Sequence, residues 1–439
     1  MVIIMKEYGK SIWVDTVNIK EFPKLKSDIE TDILIVGGGL CGILTAYKFS
    51  KKGYNVVVVE KDRIGMGITK NTTGVVTAQH DTLYSDYIKK IGLKKAKLFL
   101  KSNLEAVEEY KKLSEVYDFD LEEVDTCMYT NNDSTSLYHE YEALKCLNFD
   151  AEFVDGINLH INCKNAVKYP KQAQINALKL IDQLSRELTI YEHSEILKID
   201  KCYAYTKNNK IKYSKVIITT HFPFIDRLGM YYAKMHQVKS YVIAVKTNTI
   251  LNEAYIGDKS GDIYLRKYKD YILIGGNDRL TGTKGMSYSN LIKYAKENYK
   301  DAKVEYKWSN QDCMTIDLIP YIGEYSILSN NMYIATGFNE WGMTSCMTAS
   351  NVLLDVIEQK VTEYTKLFNP NRNMIKKDLF KNLGRYVKHL VKKSPKRCTH
   401  LGSELIWNEE EKTWECPCHG SKFTQSGEVI HNPTQQDLP

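Results

Sequence analysis

The stretch "TDILIVGGGLCGILTAYKFSKKGYNVVVVEKD", residues 31–62, decides the fold. A buried strand is expected from Ile33 to Val36, running into Gly37, Gly39 and Gly42. A helix follows with Ala46 and Phe49 on its inner face, and Gly53 turns the chain into a second strand ending at Glu60. A Gly-x-Gly-x-x-Gly triplet alone is a weak signal, but here both strands, the helix and the terminal acid stand in the order that a dinucleotide-binding unit requires. Gly37 permits the tight turn, Gly39 lets the backbone approach a pyrophosphate, and Gly42 lets the helix close on the strand. The helix N-terminus presents N–H groups to phosphate. Glu60 can accept from the adenosine ribose hydroxyls, and an acid there disfavours a 2′-phosphate.

That unit fits FAD and NAD equally, and a second segment separates them. "NMYIATGFNEWGMTSCMTASNVLLDVIEQK", residues 331–360, reads as a strand, a glycine-bearing loop and a long helix whose start lies near Gly342, Met343 and Thr344. A helix dipole there would stabilise the negative charge that grows on a reduced flavin. No second fingerprint for NAD(P)H occurs in the chain.

At the other end, "CTHLGSELIWNEEEKTWECPCHG", residues 398–420, carries the pairs Cys398-x-His400 and Cys416-x-x-His419 around a polar hairpin. Two thiolates and two imidazoles suit a structural zinc. They equally suit a two-iron, two-sulfur cluster with Cys398 and Cys416 on one iron and His400 and His419 on the other.

The texture of "CTHLG" and "CPCHGS" resembles the cluster-binding loops of Rieske proteins. Upstream, "RIGMGITKNTTGVVTAQH" (63–80), "VIITTHFPF" (216–224), "YLRKYKDYILIGG" (264–276), "DLIPYIG" (317–323) and "ATGFNEWGMT" (335–344) follow the fingerprint in the order seen in D-amino acid oxidase-like, or glycine oxidase-like, FAD-dependent oxidoreductases. The whole chain resembles the bacterial subgroup in which such a flavoprotein is fused to a Rieske domain. The resemblance implies an α/β fold with a Rossmann-like FAD-binding domain, a β-rich substrate domain and a small all-β Rieske domain. It implies non-covalent FAD and a [2Fe-2S] cluster as cofactors. By matching motif, Gly37, Gly39, Leu40, Gly42, Glu60 and Lys61 would hold the ADP half, Thr69, Thr72 and Thr73 would lie along the pyrophosphate and flavin, and Gly337, Gly342, Met343 and Thr344 would close on the isoalloxazine. The respiratory relatives brace the cluster with a disulfide between the two loops; here position 403 is Ser, so Cys418 is expected as a free thiol.

The domains are expected as a flavoprotein over 28–365, with FAD-binding parts at about 28–80, 150–225 and 310–365 and a substrate domain at about 81–149 and 226–309. A basic linker over 366–397 and the Rieske domain over 398–439 would follow. Within this frame 83–116 reads helical, with Leu100, Leu104, Val107 and Leu113 at three-to-four spacing. The net charge of +6 is local: 371–397 holds ten Lys or Arg and one acid, leaving 50 basic and 53 acidic residues elsewhere. That segment is a solvated linker or a dock for an acidic redox partner protein. No nucleic-acid-binding module accompanies it. Cys41, Cys127, Cys146, Cys163, Cys202 and Cys313 are scattered singly at irregular spacing, as in a reducing compartment. No apolar run approaches the roughly 20 residues of a membrane span, and "MVIIMKEYGK" lacks the features of a signal peptide. The expected location is cytoplasmic.

Together these readings imply an FAD-dependent oxidoreductase, a dehydrogenase or oxidase acting on CH-NH or CH-NH2. A small amine or amino acid would give a hydride to FAD, with electrons passing singly through the cluster to an external acceptor. The other class left open is an electron-transfer or redox-sensing protein with no small organic substrate of its own. Candidate catalytic residues are Arg266, aligned with a strand on which some relatives place a substrate-carboxylate Arg, and His80, with His221 as a weaker third.

Overall fold

The structure, a computed structural model, describes residues 9–157, 163–259, 261–285, 287–373 and 376–439; residues 1–8, part of the stretch read above for a leader, lie outside them. Its first sheet is built around the fingerprint. Ile29–Val36 pairs in parallel with Val56–Val59 on one side and with Lys210–Ile218 on the other. Thr189–Tyr191 and Met332–Thr336 extend it in parallel, and Tyr321–Glu324 closes one edge antiparallel. All four valines of 56–59 are buried, as expected for a strand covered on both faces. The helices Leu40–Lys51 and Gly342–Ile357 pack against each other, which brings the two glycine loops together.

The second sheet is larger and mixed. Its order is Lys303–Thr315, Met235–Lys246, Tyr271–Leu280, Tyr264–Tyr268, Ala254–Gly257, Glu122–Thr130, Asn165–Gln174 and Val75–Val76, with Glu152–Asp155 paired to Asn165–Gln174. Here the chain departs from the sequence reading, which allots 150–225 to the FAD-binding part. Asn165–Gln174 runs antiparallel along Glu122–Thr130 and buries Val167, Tyr169 and Ala173, so these strands belong to the second sheet. The helical stretch 83–116 is two helices, Leu83–Ile91 and Leu93–Ser114, broken at Gly92, whose φ of +84° the glycine permits.

The basic segment is also more ordered than a linker. It contains the helix Lys376–Val391, whose Asn382 Nδ2 donates to the carbonyls of Ala233 and Met235 and whose Tyr386 hydroxyl donates to Leu401. Phe380, Leu383, Val387, Leu390 and Val391 face outward. Among the described residues no helix is long and apolar enough to cross a membrane.

The last unit is a four-stranded sheet, Ile406–Asn408, Thr413–Glu415, Lys422–Phe423 and Val429–His431. It is seated on the body of the protein by buried and half-buried polar contacts. Lys239, 1% exposed, forms ion pairs with Glu411 and Glu415, and Lys422 pairs with Glu411 as well. Burial alone would raise the pKa of Glu411, but the ammonium groups of Lys422 and Lys239 outweigh it and hold the carboxyl well below its usual range. Beside them Gln311 Nε2 donates to Gln237 Oε1 and to the carbonyl of Gly420, both at 3.0 Å. Asn432 Nδ2 donates to the carbonyls of Thr220 and Phe222, and Gln435 Nε2 to that of Ile196.

Removing one member of a buried ion network leaves its partner uncompensated, at a cost of about 3–5 kcal/mol. Lys239→Met is therefore expected to loosen the C-terminal unit from the body. Limited proteolysis should show cleavage in 392–397 at protease levels that leave the parent intact, and thermal unfolding should shift downward.

Candidate functional site

The fingerprint opens onto a cavity of about 470 Å³. Gly37, Gly39, Leu40, Glu60, Lys61, Thr69 and Thr72 form one end, and Gly342 and Met343 border the other. The glycines are needed: a side chain on residue 42 would come within 1.9 Å of the Gly37 carbonyl, and Gly37 itself has φ +109°. Glu60 Oε2 accepts from the Gly38 N–H at 2.7 Å, which folds the carboxylate over the turn. Thr69 Oγ1 accepts from the N–H of Leu40 at the helix start. Lys61 and Lys70 add positive charge to the same wall. A cradle cleared of side chains at a helix N-terminus, with cations beside it and an acid at the end of the second strand, fits the ADP portion of FAD.

A smaller cavity of about 110 Å³ adjoins it, and Thr72, Asn310, Asp312, Glu340 and Met343 line both. Its walls are aromatic, from Tyr255, Tyr264 and Trp341, and acidic, from Asp81, Asp278, Asp312 and Glu340. Desolvation raises all four carboxyls: Asp81 to about 6 and Asp312 to about 7, against opposing hydrogen bonds from Trp341 and Asn310. Asp278 and Glu340 are raised by burial and then by repulsion within the group. Glu340 sits on a backbone at φ +71°, directly after Asn339 at +51°. The Asn339 side chain is pinned to Thr315 N and Leu318 O, and this holds the unusual turn that carries Glu340 between the two cavities.

The opposite side of the large cavity is closed by the C-terminal unit, through Val429, Ile430, His431, Asn432, Thr434 and Gln435. Behind this wall the Cys/His pairs meet. Cys398, Cys416 and His419 are buried, and the His400 and His419 rings lie 5.0 Å apart, edge to face. His419 Nε2 is 3.0 Å from the Tyr232 carbonyl; with a proton there, Nδ1 carries the lone pair that a metal would take. Among the described residues no three His, Cys, Asp or Glu side chains converge on a position for a single ion. Two Cys beside two His, rather than four donors around one point, fit a two-iron cluster better than zinc. Cys418 is a free thiol, and the Ser403 hydroxyl lies 3.1 Å from Cys416 Sγ.

The sequence-derived residues divide into three groups. Gly37, Gly39, Leu40, Glu60, Lys61, Thr69, Thr72, Gly342 and Met343 line the large cavity, and Thr73 lines the small one. Gly42, Gly337 and Thr344 line neither: a side chain on residue 337 would strike Thr315 at 2.3 Å, and Thr344 Oγ1 contacts His80 Nε2 at 3.3 Å. His80 also lies outside both cavities, stacked on Trp341 at 4.8 Å, and burial lowers its pKa to about 3. Burial thus favours its neutral form, beneath the Trp341 wall. His221 does line the large cavity and is likewise neutral, lowered by burial to about 4. Arg266 borders the small cavity, but its guanidinium turns inward. Nη1 donates to the Thr73 and Ile175 carbonyls, and the group lies 5.1 Å from the Trp13 ring and 5.8 Å from that of Tyr268. That geometry does not favour the substrate-carboxylate role expected of it. Sequence reasoning missed Asp81, Asp278, Asp312, Glu340 and the 429–435 wall. Only Glu340, inside the quoted glycine loop, carried a local signal.

Comparison with known proteins agrees with this geometry. The family described as FAD dependent oxidoreductase (DAO) matches residues 32–355, and the Rieske [2Fe-2S] domain matches 386–439. YhfW of Bacillus subtilis (strain 168), named as a Rieske 2Fe-2S iron-sulfur protein, is 32% identical over 99% of this chain and 97% of its own. Among solved structures, glycine oxidase from Geobacillus kaustophilus aligns with a TM-score of 0.66 at 19% identity, over 79% of this chain and 100% of its own. L-proline dehydrogenase from P. horikoshii aligns with a TM-score of 0.66 at 17% identity, over 80% and 98%. At these identities the two structures establish the fold.

Two outcomes are expected of variants. Arg266→Met leaves the Thr73 and Ile175 carbonyls without their donor, so it should lower unfolding stability by about 1–3 kcal/mol in denaturant titration. Asp312 has the opposite sign. Its raised pKa means that the folded state holds a proton which the unfolded state loses near pH 4, so this group favours folding at low pH and opposes it as pH rises through about 7. Asp312→Asn should match the parent in melting temperature near about pH 4 and exceed it at about pH 8.

Proposed function

The chain belongs to the DAO family of FAD dependent oxidoreductases and carries a Rieske [2Fe-2S] domain behind it, and on that premise we propose that it oxidises the C–N bond of a small amine or amino acid and exports the electrons singly to an external acceptor. One observation carries the reading. The large cavity opens on one side into the small acidic, aromatic cavity and is walled on the other by the Rieske domain. Bound FAD supplies hydride acceptance, and the cluster supplies one-electron transfer.

The substrate loses a hydride from the carbon next to nitrogen and a proton from the nitrogen, and the resulting imine is hydrolysed by water to a carbonyl compound and an amine or ammonia. Two electrons and two protons are thereby released per turnover. The protein's part is positioning and proton handling. Gly37, Gly39, Leu40, Glu60, Lys61 and Thr69 would hold the ADP half, with Thr72, Gly342 and Met343 along the flavin half. Asp312, with a pKa near neutrality, is placed to take the proton of an incoming ammonium, because only the neutral amine gives up hydride readily. The aromatic walls exclude water from the reacting carbon.

Export would run through 221–222. His221 lines the large cavity, and the adjoining Phe222 ring lies 5.8 Å from the His419 ring and 6.4 Å from that of His400. Two adjoining residues, His221 and Phe222, thus lie between the cavity and the cluster histidines. Beyond the cluster, the exposed lysines 381, 388, 392 and 393 would receive an acidic redox partner protein. A carrier with no organic substrate of its own would have no use for the small cavity.

Anaerobic purification, visible spectroscopy and EPR of the reduced protein test the reading. Flavin and two-iron signals are expected together, and Cys416→Ala should lose the iron signal and keep the flavin. Phe222→Ala should slow flavin reoxidation by an acidic one-electron carrier such as a ferredoxin by tenfold or more, after photoreduction, without changing flavin content. Unchanged reoxidation in the iron-free Cys416→Ala protein would overturn export through the cluster.

A further inference from the structure

We propose that the small cavity takes a substrate with two ammonium groups and no carboxylate, a diamine or the diamine arm of a polyamine, and that Asp81, Asp312 and Glu340 set this specificity. The proposal rests on the amine-oxidising reading above and names its substrate class.

The argument begins with charge. Four carboxyl groups reach one cavity of about 110 Å³ from four separate segments: Asp81 after the Val75–Val76 strand, Asp278 on Tyr271–Leu280, Asp312 on Lys303–Thr315 and Glu340 before the Gly342–Ile357 helix. Among the described residues Asp81, Asp312 and Glu340 form no ion pair; Asp81 is exposed at the cavity and Asp312 and Glu340 are half-buried, so all three are open to a ligand cation. The basic residue on the cavity wall, Arg266, has its Nη1 committed to the Thr73 and Ile175 carbonyls and its plane held near Trp13 and Tyr268. It does not appear among the groups that act on Asp81, Asp312 or Glu340.

The second observation is independent of the acids. Asn71, 8% exposed, also lines the small cavity, and its Oδ1 has no hydrogen-bond partner among the described residues. Asn310 repeats the pattern: Nδ2 donates to Asp312 at 2.8 Å, while Oδ1 is left without a donor. A buried amide oxygen without a donor costs about 1–3 kcal/mol, and a ligand N–H removes that cost. The Tyr255 hydroxyl is itself spent on Glu253. The side chains facing the ligand space thus want hydrogen-bond donors and positive charge, and the Tyr255, Tyr264 and Trp341 rings offer faces that attract a cation.

An amino acid fits this site poorly. Its ammonium would be welcome, but its carboxylate would enter a space already holding several acids with no free guanidinium to meet it, and like-charge juxtaposition is how a site rejects a ligand. A monoamine satisfies one carboxylate and leaves the others repelling. A second ammonium a few methylenes away neutralises the rest, while the methylene chain packs on the rings. One amine then lies toward the flavin side, shared by Asp312 and Glu340, which line both cavities, and the other lies toward Asp81 and Asp278, which line the small one alone.

The test uses the full-length, flavin-loaded protein under anaerobic conditions. 1,4-Diaminobutane, butylamine and glycine are titrated separately, with flavin absorbance perturbation and thermal shift as readouts of binding and flavin bleaching as the readout of oxidation. 1,4-Diaminobutane should bind at least tenfold more tightly than butylamine or glycine. Asp312→Asn and Glu340→Gln should each weaken its binding tenfold or more while flavin content stays at the parent level. Tighter binding of glycine, or undiminished diamine binding by both carboxamide variants, would overturn the proposal. Bleaching by glycine with no diamine binding would overturn it while sparing C–N oxidation as the reaction. Tight diamine binding with no bleaching by any of the three would uphold the cation site and count against oxidation there.

Discussion

The pairing of Met235–Lys246 with Lys303–Thr315 is the constraint on which the rest of the molecule depends. The two strands are antiparallel, with Lys239 opposite Gln311 and Ser240 opposite Asn310. Successive side chains of a strand point to opposite faces, so this register sorts function by parity. Gln237, Lys239 and Gln311 face the Rieske domain and hold it through Glu411, Glu415 and Gly420. Ser240, Asn310 and Asp312 face the small cavity. A slip of one residue would exchange the two sets, placing Asp312 at the domain junction and Gln311 beside the cofactor. The docking surface and the wall of the small cavity are thus one strand pair seen from two sides.

What the chain made legible was local. The fingerprint needs three glycines and an acid within thirty-two residues, and the Cys/His pairs need two short loops, so both were visible as patterns. The second sheet was less readable. Asn165–Gln174 contains Pro170 and runs straight into the Ala177–Ser185 helix, and only its pairing partner far upstream identifies it as a strand of that sheet. The four acids of the small cavity come from segments with nothing in common in sequence. A lone Asp in a strand ordinarily reads as a solvated face, and convergence with three other acids on one cavity is a property of the fold. Arg266 is the converse case. Its strand position suggested a substrate contact, but its environment is set by Trp13 and Tyr268, and Trp13 comes from a short helical turn near residue 12 that no motif marked.

The two titrating groups that sequence reasoning placed near the chemistry, buried His80 and half-buried His221, are both shifted by desolvation toward the neutral form. The carboxyls it overlooked have pKa values displaced toward physiological pH. Both results follow from the same desolvation, which penalises charge on an imidazole and on a carboxyl alike. Desolvation thus favours the neutral form of the histidines and moves the carboxyls toward neutrality.

The wall formed by residues 429–435 bears on how the molecule comes to exist. The cradle that begins at Gly37 is enclosed only when a segment from the opposite extreme of the described chain has settled against it, held by Asn432 and Gln435. Walls drawn from such distant parts of the chain meet only after both have been synthesised, so the cavity cannot be enclosed while the chain upstream of that segment is still being made.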